Sequence, residues 1–255
     1  MRCFVLLCCV LIPCTSNVFA GADAALAQTF RIAANRGDAS AQYAYGLCLF
    51  EGIGVPANQV VAARYFNMSA RQGNAYAQYR YGCCLFEGIG VRLNLGLAAR
   101  YFKKSARQGN ADAQYRCGCC LQDGTGVSVD LALAAQYFKM SADQEHAYAQ
   151  YSFGLCLLSG IGVSIDVSSA ALYFRKSADK GYAEAQYNFG CCLQEGIGVS
   201  VDLALAARYF KMSADKGDAL AQSNYACCLR DGTGVSVDLE AAALYFRNSA
   251  DQGYA

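Results

Sequence analysis

The sequence predicts an all-α fold, an α-solenoid of stacked antiparallel helix pairs, and three observations lead there. One 36-residue unit is copied six times. Each copy holds two helix-compatible segments bounded by capping residues and glycine stops. The chain is 55% hydrophobic, 16% charged and carries two prolines, so it has core material and few helix breakers. A two-helix unit of this size cannot bury its own apolar face, whereas stacked copies can. The period is unambiguous. Ala-Gln recurs from Ala41, Ala77, Ala113, Ala149, Ala185 and Ala221, followed by tyrosine in five copies and by Ser223 in the sixth. Tyr-Phe recurs from Tyr65, Tyr101, Tyr137, Tyr173, Tyr209 and Tyr245 at the same interval.

Three segments follow from this reading: 1–20, a secretory signal peptide; 21–37, an N-terminal half repeat; and 38–255, the six-repeat solenoid. Arg2 precedes an unbroken apolar run over 3–12, Pro13 breaks it, and small residues around Ala20 offer cleavage sites. The run is too short to span a membrane. The rival reading, a worn first repeat, puts Val10, Ser16 and Val18 where a repeat has Gly46, Gly52 and Gly54, and fails. Phe30, Ala33, Ala34 and Gly37 match the back half of a unit.

Within each unit the first helix opens at a capping column that includes Asp38, Asn74, Asn110 and Asp218, and it stops at Gly-x-Gly. Glycine at 46, 82, 118, 154 and 190 costs helix propensity, so a neighbour is expected to pass too close for a side chain. Only Ala226 departs. The second helix opens at Asn58, Asn94, Asp130, Asp166, Asp202 and Asp238. It ends at a left-handed glycine: Gly73, Gly109, Gly181, Gly217 or Gly253. Glu145 breaks that series just before His146, and an altered turn is expected there.

The motif Ala-x-Ala-Gln-Tyr, then Gly-x-Cys-Leu-x-x-Gly-x-Gly-Val, then Ala-Ala-x-Tyr-Phe-x-x-Ser-Ala-x-x-Gly resembles the Sel-one-like repeat, a relative of the tetratricopeptide repeat. The resemblance covers 24–255. It implies a right-handed superhelix with a concave groove and an adaptor or scaffold role, often in secretory-pathway quality control, signalling complexes or secreted bacterial proteins. With no recurring catalytic group, the expected role is non-enzymatic. Leucine at Leu49, Leu85 and their equivalents replaces the family's usual aromatic. Cysteine-rich relatives bridge their two helices from positions that here hold Ala70 and Gln78, so that framework is absent.

A partner site is expected where the copies differ. Ala41, Gln42 and Cys48 hardly vary and should pack. Three first-helix positions vary freely: Ser40, Tyr76, Asp112, Tyr148, Glu184, Leu220; then Ala44, Arg80, Arg116, Ser152, Asn188, Asn224; then the 51 to 231 column. Their spacing puts them on one helical face. Tyr76, Arg80, Asp112, Arg116, Tyr148, Asn188 and Asn224 are the candidate groove residues, because tyrosine and arginine dominate binding hot spots. The expected ligand is a protein or peptide, as an extended segment or a partner helix. Drifting solvated positions would give the same variability.

No catalytic, metal or cofactor site emerges. The 21 basic and 20 acidic residues nearly cancel, which argues against nucleic acid, and no later apolar stretch is long enough for a membrane span in the mature chain. Gly-x-Gly without a preceding strand is a turn and not a dinucleotide fingerprint. Ser177–Lys180 and Ser213–Lys216 fit Ser-x-x-Lys, yet sister copies lack the lysine, so they are expected to be ordinary exposed helix ends. His146, at a capping position, is expected to be exposed. Asn67 begins a glycosylation sequon. Fifteen cysteines, eleven of them after residue 20, read as small buried hydrophobes. An odd count of eleven thiols favours a reducing compartment, so a cytoplasmic location stands beside the secretory one. The alternatives of another class are a β-lactam-acting hydrolase, which the resemblance brings in, and a thiol-based metal or redox buffer. Ala255 falls where a seventh first helix would begin, so end-to-end self-association through an uncapped last repeat is an expectation.

Overall fold

The computed structural model describes residues 18–253. The apolar run over 3–12 and the terminal Ala255 lie outside the described residues, and of the segment 1–20 only the last three residues are described. They open the first helix.

Among the described residues there are thirteen α-helices and no strands. After α1 (Val18–Asn35) the first helices of the six copies are α2 (Ala39–Glu51), α4 (Ala75–Glu87), α6 (Ala111–Asp123), α8 (Ala147–Ser159), α10 (Ala183–Glu195) and α12 (Ala219–Asp231). The second helices are α3 (Gln59–Arg71), α5 (Leu95–Arg107), α7 (Leu131–Asp143), α9 (Val167–Asp179), α11 (Leu203–Ala214) and α13 (Leu239–Ala250). Each helix packs on the one before and the one after it in sequence, which is the all-α solenoid.

The caps form as the sequence predicts. Asp38, Asn74, Asn110 and Asp218 each accept the amide three residues on, and so does every cap of the second helices from Asn58 to Asp238. Gly52 caps α2 with φ +77. The second glycine of the turn acts between copies: a Cβ at Gly90 would overlap the Gln59 carbonyl of the preceding copy. The first glycine therefore ends a helix and the second lets one copy seat on the last. The mid-helix glycine does face a close neighbour, and it is a ring: a Cβ at Gly46 would lie 2.7 Å from Phe66 Cε1. Phe66, Phe102, Phe138, Phe174 and Phe210 are at most 1% exposed, while Phe246, opposite Ala226, is only half-buried.

Buried polar groups tie the two helices of a copy together. Ser69 Oγ donates to the Ala39 carbonyl at 2.6 Å, and five serines repeat the bond at 36-residue intervals to Ser249. Gln42 Nε2 donates to Ala34 O at 3.2 Å, and its Oε1 accepts from Gln72 Nε2 at 2.7 Å. Gln108, Gln144 and Gln252 do the same for Gln78, Gln114 and Gln222. The fourth and fifth copies have Lys180 and Lys216 at that position. Their ammonium groups instead donate to the carbonyls of Glu145 and Gly181, and Gln150 Oε1 and Gln186 Oε1 are buried with no hydrogen-bond partner.

Two expectations near this break are corrected. Glu145 has φ +64, the one non-glycine residue with positive φ among those described, so the turn keeps the geometry of its glycine sisters. The Glu145 amide still donates to Ala142 O at 2.9 Å, as Gly73 does to Ala70. Stacking dictates the turn, and the residue accepts the left-handed strain. Ser177 and Ser213 are fully buried, not exposed ends, because their hydroxyls satisfy the carbonyls of Ala147 and Ala183 at 2.8 Å.

Candidate functional site

The first helices divide cleanly. Ala41, Gln42 and Cys48 and their equivalents are buried, while the columns of Tyr76 and Glu51 point outward. Between them runs the tyrosine that follows Ala-Gln, half-buried in each copy that has it. This tyrosine reaches the next copy. Asn188 Nδ2 donates to the Tyr151 hydroxyl at 3.4 Å, and Arg116 and Asn224 lie beside Tyr79 and Tyr187 in the same relation. The free column therefore touches the preceding copy through the fixed one, and the candidate residues form one continuous strip.

Each candidate has a definite place on it. Tyr76, 62% exposed, lies 6.0 Å from the Tyr43 ring. Arg80 pairs with Glu51 at 3.6 Å and stands over the rings of Phe50 and Phe66 at 4.9 and 5.8 Å. Arg116 lies 5.9 Å over Phe86. Asp112 meets His146 Nε2 at 3.2 Å. That hydrogen bond, with the charges of Arg116 and Arg80, holds the Asp112 carboxyl below the usual aspartate range against its partial burial. Tyr148 lies beside Tyr115, His146 and Tyr182, at 6.1, 5.8 and 4.8 Å between rings. The structure thus brings Arg80, Asp112, Arg116 and Tyr148 into one neighbourhood, and Tyr148 and Asn188 into the next through Tyr151 and Tyr182. Asn224 sits one copy beyond.

His146 is not exposed as expected. Its side chain is 16% exposed, its ring stacks on Tyr115 at 5.0 Å, and Nδ1 accepts the Ala149 amide at 3.2 Å. With Nδ1 an acceptor, the neutral ring carries its proton on Nε2 and donates it to Asp112, so both nitrogens are engaged. Tyr182 is the residue that sequence reasoning missed. It occupies the N-cap of α10 without a capping side-chain bond, and its ring lies 5.1 Å from Tyr151 as well as 4.8 Å from Tyr148. The signal was available: the cap column reads Asp38, Asn74, Asn110, His146, Tyr182, Asp218, and two adjacent aromatics break it.

The cysteine ladder packs as small hydrophobes. Cys48, Cys84, Cys120, Cys156, Cys192 and Cys228 are buried, and Cys83, Cys119, Cys191 and Cys227 are half-buried. Burial pushes Cys84 up to about 12 and Cys120 to about 11, so these thiols stay protonated at neutral pH. Among the described residues no group of three or more His, Cys, Asp or Glu is placed to hold a metal ion. Asn67 of the sequon is half-buried and accepts the Tyr101 hydroxyl at 3.3 Å. No helix among the described residues is long and apolar enough to cross a membrane.

Helix pairs, caps and the 36-residue period together define an all-α helical-repeat solenoid. The Sel1 repeat model matches 39–74, 75–110, 111–146, 147–182, 183–218 and 219–254, and the chain belongs to the Sel1 repeat family. Proteins of this family serve generally as protein-interaction scaffolds. The chain is similar to a protective antigen of uropathogenic Escherichia coli with the same repeat fold: 30% identity, TM-score 0.82, over 89% of this chain and 49% of that one. The chain thus spans about half the antigen's length. A Sel1 repeat protein from Oxalobacter formigenes is 29% identical, with TM-score 0.71, over 84% of this chain and 86% of that one. An immunity protein from Pseudomonas aeruginosa, at 14% identity and TM-score 0.50 over 84% and 81%, shares the fold. No curated protein matches the chain.

Proposed function

We propose that this protein is a non-enzymatic adaptor that holds an extended protein segment or a partner helix along the face of its first helices. One observation carries the reading: the first-helix positions that vary between copies form a strip whose arginines are already held against the preceding copy. Pinned side chains lose little rotamer freedom on binding, so their contact area converts more fully into affinity. The buried, engaged hydroxyls of Ser177 and Ser213 and the doubly bonded His146 ring speak against an acyl-transfer site. Residues 1–20 carry, on sequence alone, the further proposal that the chain enters the secretory pathway; N-terminal sequencing of protein from its native cell tests it, and a retained Met1 overturns it.

The test of the adaptor reading is photo-crosslinking in that cell. Benzoyl-phenylalanine replaces Tyr76, Tyr148 or Asn188 on the strip, or the exposed second-helix residues Met68, Met140 or Met212. The expected result is one shared adduct from the strip positions and none from the second helices. Adducts of equal yield from both faces, or none from the strip, overturn the reading.

A further inference from the structure

The strip has two halves that treat cations differently. In the second and third copies the chain supplies its own: Arg80 covers Phe50 and Phe66, and Arg116 covers Phe86. In the fourth and fifth copies the equivalent positions hold Ser152 and Asn188. The aromatic surface there is larger. Tyr182 meets both Tyr148 and Tyr151 edge-on at 73°, and Tyr115 with His146 continues the surface. Among the described residues no guanidinium or ammonium stands over Tyr151 or Tyr182.

The charges that act on these rings are carboxylates, while the nearby Lys180 and Lys216 ammonium groups are tied to the Glu145 and Gly181 carbonyls. Helix α8 contains no charged residue, and α10 contains Glu184 and Glu195 without a base. Burial, then the nearby Glu184 and Asp218 carboxylates, push the Tyr151 phenol up to about 12. Burial, then the Glu184 carboxylate and the neighbouring phenols of Tyr151 and Tyr148, push the Tyr182 phenol up as well, and Glu184 itself stays exposed, two residues along α10 from Tyr182. Local stability does not explain the arrangement. Tyrosine at the cap of α10 gives up a side-chain bond worth about 1 kcal/mol that every other copy keeps.

We propose that Tyr148, Tyr151 and Tyr182, with Glu184 at their rim, form a seat for one cationic side chain, lysine or arginine, of the protein partner. Aromatic faces attract a cation electrostatically when it comes within about 6 Å of the ring centroid, and a flanking carboxylate adds to the attraction. The seat deepens the adaptor reading and rests on it: the strip would hold the segment, and the seat would fix its register by one basic residue.

The probe is the pentapeptide acetyl-Gly-Gly-Arg-Gly-Gly-amide, with citrulline in place of arginine as its neutral counterpart. Titration is followed by the aromatic carbon–proton resonances of Tyr151 and Tyr182 in the full chain. The arginine peptide is expected to shift both resonances saturably and to bind at least about fivefold tighter than the citrulline peptide. Tyr182→Asn should abolish that preference while raising Tm, because asparagine restores the cap used by α4 and α6, and Glu184→Gln should weaken it with no loss of stability. Equal affinity for the two peptides, no shift at these rings, or an unaltered preference in a folded Tyr182→Asn overturns the seat. Tetramethylammonium bound as tightly as the arginine peptide marks a small-cation site and overturns the assignment to a partner side chain. If strip crosslinks persist unchanged in Tyr182→Asn, the seat falls and the adaptor reading stands. If the arginine preference appears without strip crosslinks, the seat stands and the wider adaptor reading falls.

Discussion

The second and third copies and the fourth and fifth are built from almost the same residues, and they differ in how well each local rule is kept. In the former, arginines lie on rings, the glutamine pairs are complete and the helices α4 and α6 are capped by asparagine. In the latter, Gln150 and Gln186 each keep an unpaired buried oxygen and α10 lacks a side-chain cap; Glu145 sits in a left-handed turn at the junction. A repeat array supplies its own control, since each copy shows what the fold accepts at every position. Departures that cost local stability and cluster beside an aromatic surface point to selection for something other than stability.

The comparison breaks most visibly if the cores differ. Phe102 and Phe174 are equally buried, so Phe102→Ala and Phe174→Ala should each cost about 3–5 kcal/mol in denaturant unfolding. A much smaller loss at Phe174 would mean that the fourth copy is loosely packed throughout and not merely altered at its edges. Completing the glutamine pairs with Lys180→Gln and Lys216→Gln should stabilise by about 0.5–1.5 kcal/mol per site, read as a higher denaturation midpoint at unchanged slope. No gain would mean that water already satisfies Gln150 and Gln186.

At the junction, Glu145→Gly should add about 1 kcal/mol by relieving the positive φ, and Gly73→Glu in the first copy should lose a similar amount. Unequal magnitudes would show that the Lys180 contact to Glu145 contributes to stability. The smallest effect is electrostatic. The folded-state value of Asp112 lies below its ordinary one, so its contribution is present above about pH 4 and is lost as the pH falls through the lowered value. Asp112 is half-exposed, and the contribution should stay under about 1 kcal/mol. Asp112→Asn should therefore lower Tm slightly at pH 6 and leave it unchanged at pH 2.

Most of the scaffold was legible because its determinants are local. Caps act over three residues, and the glycine stops act within one turn, as Asn58 and Gly52 illustrate. Even the close neighbour of Gly46 could be inferred from a repeated propensity cost, although its identity as Phe66 could not. The strip was half legible: variability between copies marked Tyr76, Arg80 and Arg116, but the recurring tyrosines such as Tyr79 and Tyr151, which nearly every copy shares, gave no sign that they meet that column. Tyr182 was hidden inside a capping column, where its departure from asparagine or aspartate registers only when all six copies are compared.

By itself, then, the sequence determined the period, the helix pairs, their caps and turns, and which first-helix positions are free to differ between copies. Tertiary structure alone decided that His146 is packed on Tyr115, that Glu145 adopts a glycine's conformation, and that Lys180 leaves Gln150 unpaired. Each of these depends on partners that stacking delivers from the neighbouring helix, about 30 residues away along the chain. A helical repeat buries its apolar face only against its neighbours, so the fate of any residue on that face is settled by the helix beside it.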